Sequence, residues 1–322
     1  MPLVVLHSPE QWTERFGPGS RSVVSVGNFD GLHLGHQKIL REVQARARAT
    51  SRLAAVVTFD PHPAKLLRPE QPPRLIQTLA QRLAGFEHMG LGAALVLRFD
   101  QALSLLSPEE FVQQILVEHL HVAAILVGEN FRFGHRGVGN VRLLAELGRR
   151  KGYDVEIVAP VELNGLVVSS TAVRSAIFDG RADEAARLLG RPFSLTGGIH
   201  PGAGRGRTIL FPTLNLSPEQ ELLPKLGVYV TESVLGEHVF PSVTNIGTRP
   251  TFDGRGITVE SHLFHFHEQP GERTLEVRFH KRLRDEMKFA SVADLRAQIE
   301  RDIAAAQDYF LRLGAAKQPL SG

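Results

Sequence analysis

The chain has 322 residues, which predicts two domains of ordinary size, each with its own core. Charged residues make up 22% of the sequence and the formal net charge is +3 with no dense run of Lys and Arg, so no nucleic-acid partner is expected. Cysteine is absent, which excludes disulfides and fits a reducing cytoplasm. No signal peptide and no apolar run of ~20 residues is visible, so no membrane association is expected.

The first part of the chain alternates strand-like and helix-like segments. Strands are expected at 22–26, 54–59, 93–97, 123–127 and 155–158, and helices at 36–49, 78–89, 107–120 and 141–151. Strict alternation predicts βαβ units and a parallel sheet with covered faces, hence an α/β, Rossmann-like domain. Two short helices, from Ser170 and near 183–189, close this domain, which is expected to span residues 1–190.

The sequence changes character beyond Pro192, and a second domain is expected at 191–322. Short alternating segments at 227–234, 239–245, 258–266 and 275–279, separated by Gly and Pro, predict a small antiparallel β-barrel or sandwich. From Ser291 onward, apolar residues recur at steps of three and four as far as Leu313. They predict a C-terminal helix that packs across the barrel and that Gly314 ends.

The strongest chemical signal is the glycine-rich segment 27–36, which follows a buried strand and opens a helix. A parallel sheet binds phosphate at this position, and His33 and His36 add imidazole donors for charge that develops on phosphoryl oxygens. A histidine pair on a metal, or two structural histidines, are the alternatives. The residues expected to hold ATP here are Gly27, Asn28, Phe29, Gly31 and Gly35.

A second phosphate-binding element is expected at 169–174. Ser170 and Thr171 place hydroxyls at a helix N-terminus, and Arg174 follows one turn later, where its guanidinium can fork onto a phosphate. In isolation an ordinary N-cap with a solvated Arg explains these residues better. Paired with the H-x-G-H turn, phosphate binding becomes the favoured interpretation.

Together these elements resemble the nucleotidyltransferase superfamily that includes the class I aminoacyl-tRNA synthetases. Segments 27–36, 58–63, 128–134 and 169–174 more narrowly resemble the bacterial bifunctional riboflavin kinase/FAD synthetase family, in the same order along nearly the whole chain. The resemblance implies that the first domain joins AMP from ATP to FMN, giving FAD and pyrophosphate. It assigns His33, His36 and Arg174 to the ATP phosphates and Asn130 and Phe131 to the flavin substrate, although Phe is more often a core residue.

This chemistry agrees with the absence of an evident general base in those segments. The attacking group would be a phosphate whose second pKa is about 6, so it is already charged at neutral pH. The protein then has to align the reactants and neutralise charge, which His, Arg, Asn and backbone amides can do.

The second domain opens with a Gly/Arg-rich loop followed by Pro-Thr-x-Asn, at 204–215. Thr213 and Asn215 carry hard oxygen atoms suited to Mg²⁺ that bridges phosphates, and loop amides can cradle those phosphates. An ordinary hairpin loop is the alternative. Glu260, on an expected strand, can accept the proton of an alcohol whose pKa lies near that of water, ~15.7; a solvated strand glutamate is the alternative.

Segments 206–215, 244–251, 259–263 and 283–289 resemble the riboflavin kinase module, a six-stranded antiparallel barrel. The resemblance implies ATP binding at Gly206, Mg·ATP binding at Thr213 and Asn215, base catalysis by Glu260 on the ribityl 5′-hydroxyl, and a flavin contact at Arg284. The chain departs from the family pattern at three positions. Leu210 stands where Gly is usual, and Leu214 stands where Ala is usual; the added bulk beside the phosphate loop puts ATP affinity or rate in question. The third is Asp60, where Glu is usual.

Three histidines, at 262, 265 and 267, suggest a metal site, but strand alternation would place His262 on the face opposite the other two. Three functions remain open. The chain is a bifunctional flavin enzyme that uses riboflavin, FMN, FAD and ATP with Mg²⁺, a nucleotidyltransferase whose barrel only binds flavin or regulates, or an RNA-linked protein with a synthetase-like core. The presence of Thr213, Asn215 and Glu260 favours the first, and the lack of a basic stripe and of a lysine-rich second motif disfavours the third.

Overall fold

The computed structural model describes residues 2–200, 211–251, 254–266 and 274–317. The chain divides into two compact units, Met1–Ser170 and Thr171–Gly322. The first unit is a parallel sheet with helices on both faces, and the second is a closed antiparallel barrel with helices on its outside. The predicted fold class, a Rossmann-like α/β domain followed by a small barrel with a C-terminal helix, is therefore confirmed.

The first unit contains ten strands and seven α-helices among the residues that the structure describes. The strands are β1 (Val4–Leu6), β2 (Ser22–Val26), β3 (Leu53–Phe59), β4 (Ala93–Leu97), β5 (Val122–Gly128), β6 (Arg132–Phe133), β7 (Gly139–Asn140), β8 (Asp154–Val158), β9 (Glu162–Leu163) and β10 (Leu166–Val167). The helices are α1 (Pro9–Phe16), α2 (Leu34–Ala49), α3 (Pro63–Leu67), α4 (Leu79–His88), α5 (Gln101–Leu105), α6 (Pro108–Glu110) and α7 (Val141–Lys151).

The main sheet has the order β1-β4-β3-β2-β5-β8, with every pair parallel. Strands β2, β4 and β5 are buried along almost their whole length because both faces of the sheet are covered. Alternate residues enter opposite core layers: Val24 packs with Trp12 and Leu116 on one face, and Val23 packs with Leu40 and Phe86 on the other. All five strands predicted for this sheet are present, and β1 adds an unpredicted sixth at the edge.

One predicted helix differs in its winding. Ser107 and Glu110 form a capping box at the start of α6, as the Ser-Pro-Glu-Glu signal indicates, but the helix continues as a π-helix over Phe111–His119. The start signal and the apolar residues of this segment predict a helix, but they carry no signal that separates the i→i+4 hydrogen bonds of an α-helix from the i→i+5 bonds of a π-helix.

The chain leaves β2 toward β3 and β4 and then crosses to β5 on the other side of β2. The connections after β2 and β5 therefore depart in opposite directions, which opens a crevice at the carboxyl ends of these neighbouring strands. Open α/β sheets bind their ligands at such a switch point. The glycine-rich turn 27–33 and the turn 128–131 both lie at this edge.

The second unit contains all but the first residue of α8 (Ser170–Phe178), together with α9 (Ala182–Leu189) and, at its end, α10 (Val292–Lys317). Its strands are β11 (Phe193–His200), β12 (Leu214–Pro218), β13 (Gly227–Leu235), β14 (His238–Thr251), β15 (Gly254–Leu263) and β16 (Thr274–Arg284). They close in the order β11-β12-β15-β14-β13-β16. Strands β11 and β12 were not predicted, and the expectation that Gly314 ends the last helix is wrong, since α10 continues to Lys317.

The outer face of the barrel is apolar where α10 covers it. Ala306 is fully buried against Val228, Val230 and Val243, with Ile303 beside it. The predicted packing of the terminal helix across the barrel is thus confirmed, and it accounts for the apolar stripe read from the sequence.

The interior of the barrel holds five fully buried hydroxyl groups. They form a closed ring with O–O distances of 2.7 to 2.9 Å. In order around the ring they belong to Thr231, Ser242, Ser233, Ser261 and Thr244. Each hydroxyl has a partner on either side, so the ring satisfies polar groups that would otherwise destabilise a core.

Candidate active sites

The first candidate site lies at the carboxyl end of β2. His33 is the N-cap of α2, and its Nδ1 accepts the backbone N–H of His36 at 3.4 Å. The two imidazoles stack with ring centroids 3.7 Å apart. A neutral imidazole that accepts at Nδ1 carries its proton on Nε2, so His33 presents a donor beside the positive end of the α2 dipole. The H-x-G-H spacing thus brings its two histidines together at a helix N-terminus.

The backbone of this turn is constrained. Phe29 and Leu32 adopt positive φ values of 51° and 43°, which are unfavourable for residues with a Cβ atom. Gly31 has a φ of 88°, and a Cβ atom there would lie 2.9 Å from Ile76. A Cβ at Gly35 would lie 3.1 Å from the His33 ring. Glycine at these positions lets the turn close and the imidazole sit against the chain.

Asp30 links three segments around the turn. Its buried carboxylate accepts the backbone N–H of Ile76 at 3.0 and 3.2 Å and that of Gln77 at 3.2 Å. Its main-chain oxygen accepts the hydroxyl of Ser170 at 2.9 Å. The predicted second phosphate element is therefore fastened to the first at Ser170. Asp30 was not among the expected site residues.

The other residues expected at this site have different environments. The N–H of Gly27 donates to the oxygen of Val57 within the sheet at 3.0 Å, and the Phe29 ring is buried against Phe86. Asn28 lies between them in the turn, and its main-chain oxygen accepts two hydrogen bonds from the side chains below it. In α8, Thr171 is exposed and Arg174 is half-buried. The assignments of these residues to ATP stay predictions.

The turn after β5 holds the residues expected at the flavin. Asn130 is exposed, and the N–H of Phe131 donates to the oxygen of Gly128 at 3.0 Å. The half-buried Phe131 ring stacks on Phe133, with centroids 5.4 Å apart and planes 14° apart. Phe133 is the core residue of the pair. Phe131 therefore rests on the core while keeping part of its ring accessible for an aromatic contact.

The second candidate site is a polar row across three barrel strands. Asn215 on β12 lies opposite Glu260 on β15, and Glu260 lies opposite Asn245 on β14. Residues directly opposite in antiparallel strands point to the same face, so the three side chains share the outer face of the barrel. Asn215 is 4% exposed, Glu260 is half-buried, and Thr213 is half-buried just before β12. Gly206 and Leu210 lie outside the described residues.

Asn215 carries a signal for a bound group. Its Oδ1 atom is buried and has no hydrogen-bond partner in the part of the chain that the structure describes. A buried carbonyl without a partner is costly in a finished structure, and an amide oxygen is a ligand suited to Mg²⁺. The side chains present therefore fit a divalent cation. Leu214 lies opposite Ser261 and so shares the inner face, away from this row.

His262 connects the two halves of this site. It follows two residues after Glu260 on β15, and its Nδ1 lies 2.9 Å from the main-chain oxygen of Pro212, in the segment that carries Thr213. Its ring also contacts Phe211 edge-on, with centroids 5.7 Å apart. In the sequence, His262 was considered only for a metal site, which strand alternation disfavoured. The strand ends at Leu263, His267 lies outside the described residues, and the described residues contain no metal-type cluster of three or more His, Cys, Asp and Glu.

Arg284, expected near the flavin, makes a forked ion pair with Asp302 on α10. Its Nε donates to both carboxylate oxygens at 3.1 and 3.0 Å, and its Nη2 donates to one of them at 2.8 Å. Gln298 donates to the same carboxylate at 2.9 Å. This guanidinium therefore joins β16 to α10, and its contact with flavin stays a prediction.

Two family models match the chain, FAD synthetase over residues 18–172 and riboflavin kinase over residues 189–310. The chain is 36% identical over 294 residues to the bifunctional riboflavin kinase/FMN adenylyltransferase of Escherichia coli (strain K12), covering 91% of this chain and 94% of that protein. The chain belongs to this bifunctional family. The identity to the protein of the same name from Pseudomonas fluorescens is 40% over 286 residues, covering 88% of this chain and 92% of that one. The family resemblance read from the motifs is confirmed.

A solved structure described as a macrolide-efflux protein from Streptococcus pneumoniae is also similar. It has a TM-score of 0.86 and 30% identity and covers 95% of this chain and 99% of its own. The likeness extends over both units, so the pairing of a parallel sheet with a barrel is shared along the whole chain. Within the described ranges, no helix is both long enough and apolar enough to span a membrane.

Proposed function

We propose that this chain makes FAD from riboflavin in two ATP-dependent steps at separate sites, and that residues 191–322 carry the kinase and residues 1–190 the adenylyltransferase. Membership of the bifunctional family supports both activities. The site assignment rests on the presence of two features in one chain. One is a phosphate-type turn at the switch point of the parallel sheet, and the other is the facing of Glu260 and Asn215 on the barrel. The lack of cysteine fits a cytoplasmic enzyme.

In the kinase step the ribityl 5′-hydroxyl attacks the γ-phosphorus of ATP, and ADP leaves. Glu260 accepts the hydroxyl proton as the new O–P bond forms, because a neutral alcohol is a poor nucleophile. Thr213 and Asn215 would hold Mg²⁺, which when bound neutralises charge on the phosphate oxygens. His262 holds the Pro212–Thr213 segment against the strand that carries Glu260.

In the adenylyl step a phosphate oxygen of FMN attacks the α-phosphorus of ATP, and pyrophosphate leaves. No proton has to be removed from the nucleophile, so the protein needs donors and no base. His33 and the N-terminus of α2 provide donors on one side of the turn, and the Ser170 element, with Arg174 one turn further, provides the second group. Asn130 and Phe131 lie at the adjacent strand end, where FMN would enter.

The test is direct. The protein is incubated with riboflavin, ATP and Mg²⁺, with and without EDTA, and FMN and FAD are separated by chromatography; a parallel reaction starts from FMN. We expect both products, each dependent on the metal. FAD from FMN without any FMN from riboflavin would favour the alternative in which the barrel only binds flavin, and the lack of both products with oxidised and reduced flavin would overturn the proposal.

A further inference from the structure

Arg82 is a buried cation beneath the phosphate-type turn. It lies on α4 and is 2% exposed, on the same inward face as Phe86. Burial of a guanidinium costs free energy unless it is hydrogen-bonded and paired with negative charge. An apolar side chain would fill this core position without that cost, so the arginine has to be explained by what it contacts.

Its contacts are the ends of two neighbouring strands. Nη1 donates to the main-chain oxygen of Asn28 at 2.8 Å and to the hydroxyl of Thr58 at 3.1 Å. Nη2 donates to the main-chain oxygen of Phe59 at 3.3 Å and lies 3.7 Å from the Asp60 carboxylate. Desolvation lowers the pKa of Arg82, while the charges of Asp30 and Asp60 oppose that shift. An arginine remains protonated in proteins, so a positive charge persists under the turn.

The hydrogen bond to Asn28 fixes the direction of a peptide group in the turn. In a trans peptide the C=O and the following N–H point in opposite directions. Because the Asn28 oxygen points to Arg82, the N–H of Phe29 points away from it. Phe29 has a φ of 51°, a conformation that persists only where surrounding contacts impose it. Arg82 is such a contact, and it acts on the residue at which the strain is held.

We infer that Arg82 is a positioning residue for adenylyl transfer, which holds the Asn28–Phe29 peptide in the orientation that ATP binding requires and keeps positive charge below the phosphates. This inference rests on the proposed placement of the ATP phosphates at the turn. Because Arg82 is buried beneath the turn, its effect on ATP passes through the backbone of the turn. The kinase step, which is proposed at the barrel, provides an internal control.

The test uses the full chain with Arg82→Met, Arg82→Lys and, as a matched control, Arg48→Met, an exposed arginine on α2. The KM for ATP and the kcat of FAD formation from FMN are measured, together with FMN formation from riboflavin in the same preparation. We expect Arg82→Met to raise the KM for ATP about tenfold and to lower kcat/KM by ~10², the cost of misplaced reacting groups. Arg82→Lys should recover part of this loss, and the kinase step and Arg48→Met should be unchanged.

A purely structural role predicts something different. It would lower kcat in proportion to the folded fraction with an unchanged KM for ATP, and that result, like wild-type kinetics in folded Arg82→Met, would overturn the inference. If Arg82→Met does not fold, Arg82→Lys tests the inference instead. Lysine keeps the positive charge but lacks the forked guanidinium group, so this variant must raise the KM for ATP. A separate variant tests the proposed position of the ATP phosphates at the turn. If His33→Ala leaves FAD formation intact, that position is wrong.

Discussion

Asn215 and Glu260 lie directly opposite each other on neighbouring antiparallel strands, and both side chains point to the outer face of the barrel. Asn215 is almost fully buried, with its Oδ1 atom unpartnered among the described residues, whereas Glu260 is half-buried. This register brings an oxygen atom suited to a cation and a carboxylate into one row, although the two residues are 45 positions apart in the sequence. As proposed, the two active sites differ chemically, because the row on the barrel includes the Glu260 carboxylate, whereas the Asp30 carboxylate at the first turn accepts backbone N–H groups.

Glu260→Gln should slow FMN formation by ~10²-fold or more, because it keeps the shape of the side chain but removes the proton acceptor. FAD formation from supplied FMN should be nearly unchanged. Both half-reactions are assayed on one preparation, with folding checked by thermal melting. Glu237→Gln, at an exposed position of the β13–β14 turn, is the control and should affect neither. Equal damage to both steps by Glu260→Gln in a folded protein would contradict the two-site assignment.

His33→Ala should impair the adenylyl step alone, by ~2–4 kcal/mol of transition-state stabilisation. His33 is also the N-cap of α2, so alanine removes a cap along with the imidazole. His33→Asn separates the two effects, since asparagine caps a helix well but has no imidazole. We expect both variants to lose FAD formation while only His33→Ala lowers the melting temperature. Recovery of activity in His33→Asn would show that capping, and not charge stabilisation, is what His33 provides.

The parallel sheet was predictable because its strands are buried on both faces and several appear as unbroken apolar runs, as in Ala93–Leu97 and Val122–Gly128. Two of the six barrel strands, β11 and β12, were less visible in the sequence. β11 contains Gly197 and Gly198, and β12 is a short segment between loop-type residues. The inner face of the barrel also carries hydroxyls where an apolar pattern is expected, as at Thr231 and Ser233. Closure of the barrel supplies partners that a single sequence segment cannot reveal.

The candidate site residues came from local motifs, and these motifs do not include the residues elsewhere in the chain that hold the site residues in place. Arg82 occupies an inward position of α4, where the helical period predicts an apolar residue. The charge at this inward position is the signal in the sequence that points to Arg82. Asp30 gave no such signal, because its partners Ile76 and Gln77 are far along the chain. The sequence suggested a metal site for His262 only to disfavour it by strand alternation, and the contact of His262 with Pro212 depends on the loop folding back onto β15.

Asp302→Asn should destabilise the barrel unit, because it leaves the Arg284 guanidinium without its forked partner. The two side chains are 18% and 7% exposed, and breaking a largely buried pair from one side costs about 3–5 kcal/mol. Asp308→Asn, on the same helix, removes an exposed pair with Arg312 and should cost less than about 1 kcal/mol. Chemical denaturation of both variants measures the difference. Similar losses for the two would mean that Arg284 is not anchored by Asp302, which would favour its expected contact with flavin.

The proposed boundary at 190/191 can be tested with two fragments of the barrel unit. Helix α9 packs against β11 and β16, and its Leu188 and Leu189 are buried. The backbone N–H of Lys225 also donates to Ile177 of α8 at 3.4 Å.

A fragment that starts at Pro192 loses both helices. At ~1.5–3 kcal/mol for each buried leucine, it should be less stable than a fragment that starts at Thr171 by about 3 kcal/mol or more. Thermal melting and FMN formation from riboflavin are measured on both fragments. We expect both fragments to phosphorylate riboflavin at low temperature, because both retain the row that carries Glu260. At temperatures close to the melting temperature of the full-length protein, only the longer fragment should remain active. Equal stability of the two would place the boundary at Pro192, and a folded, flavin-binding long fragment without kinase activity would instead support a barrel that only regulates.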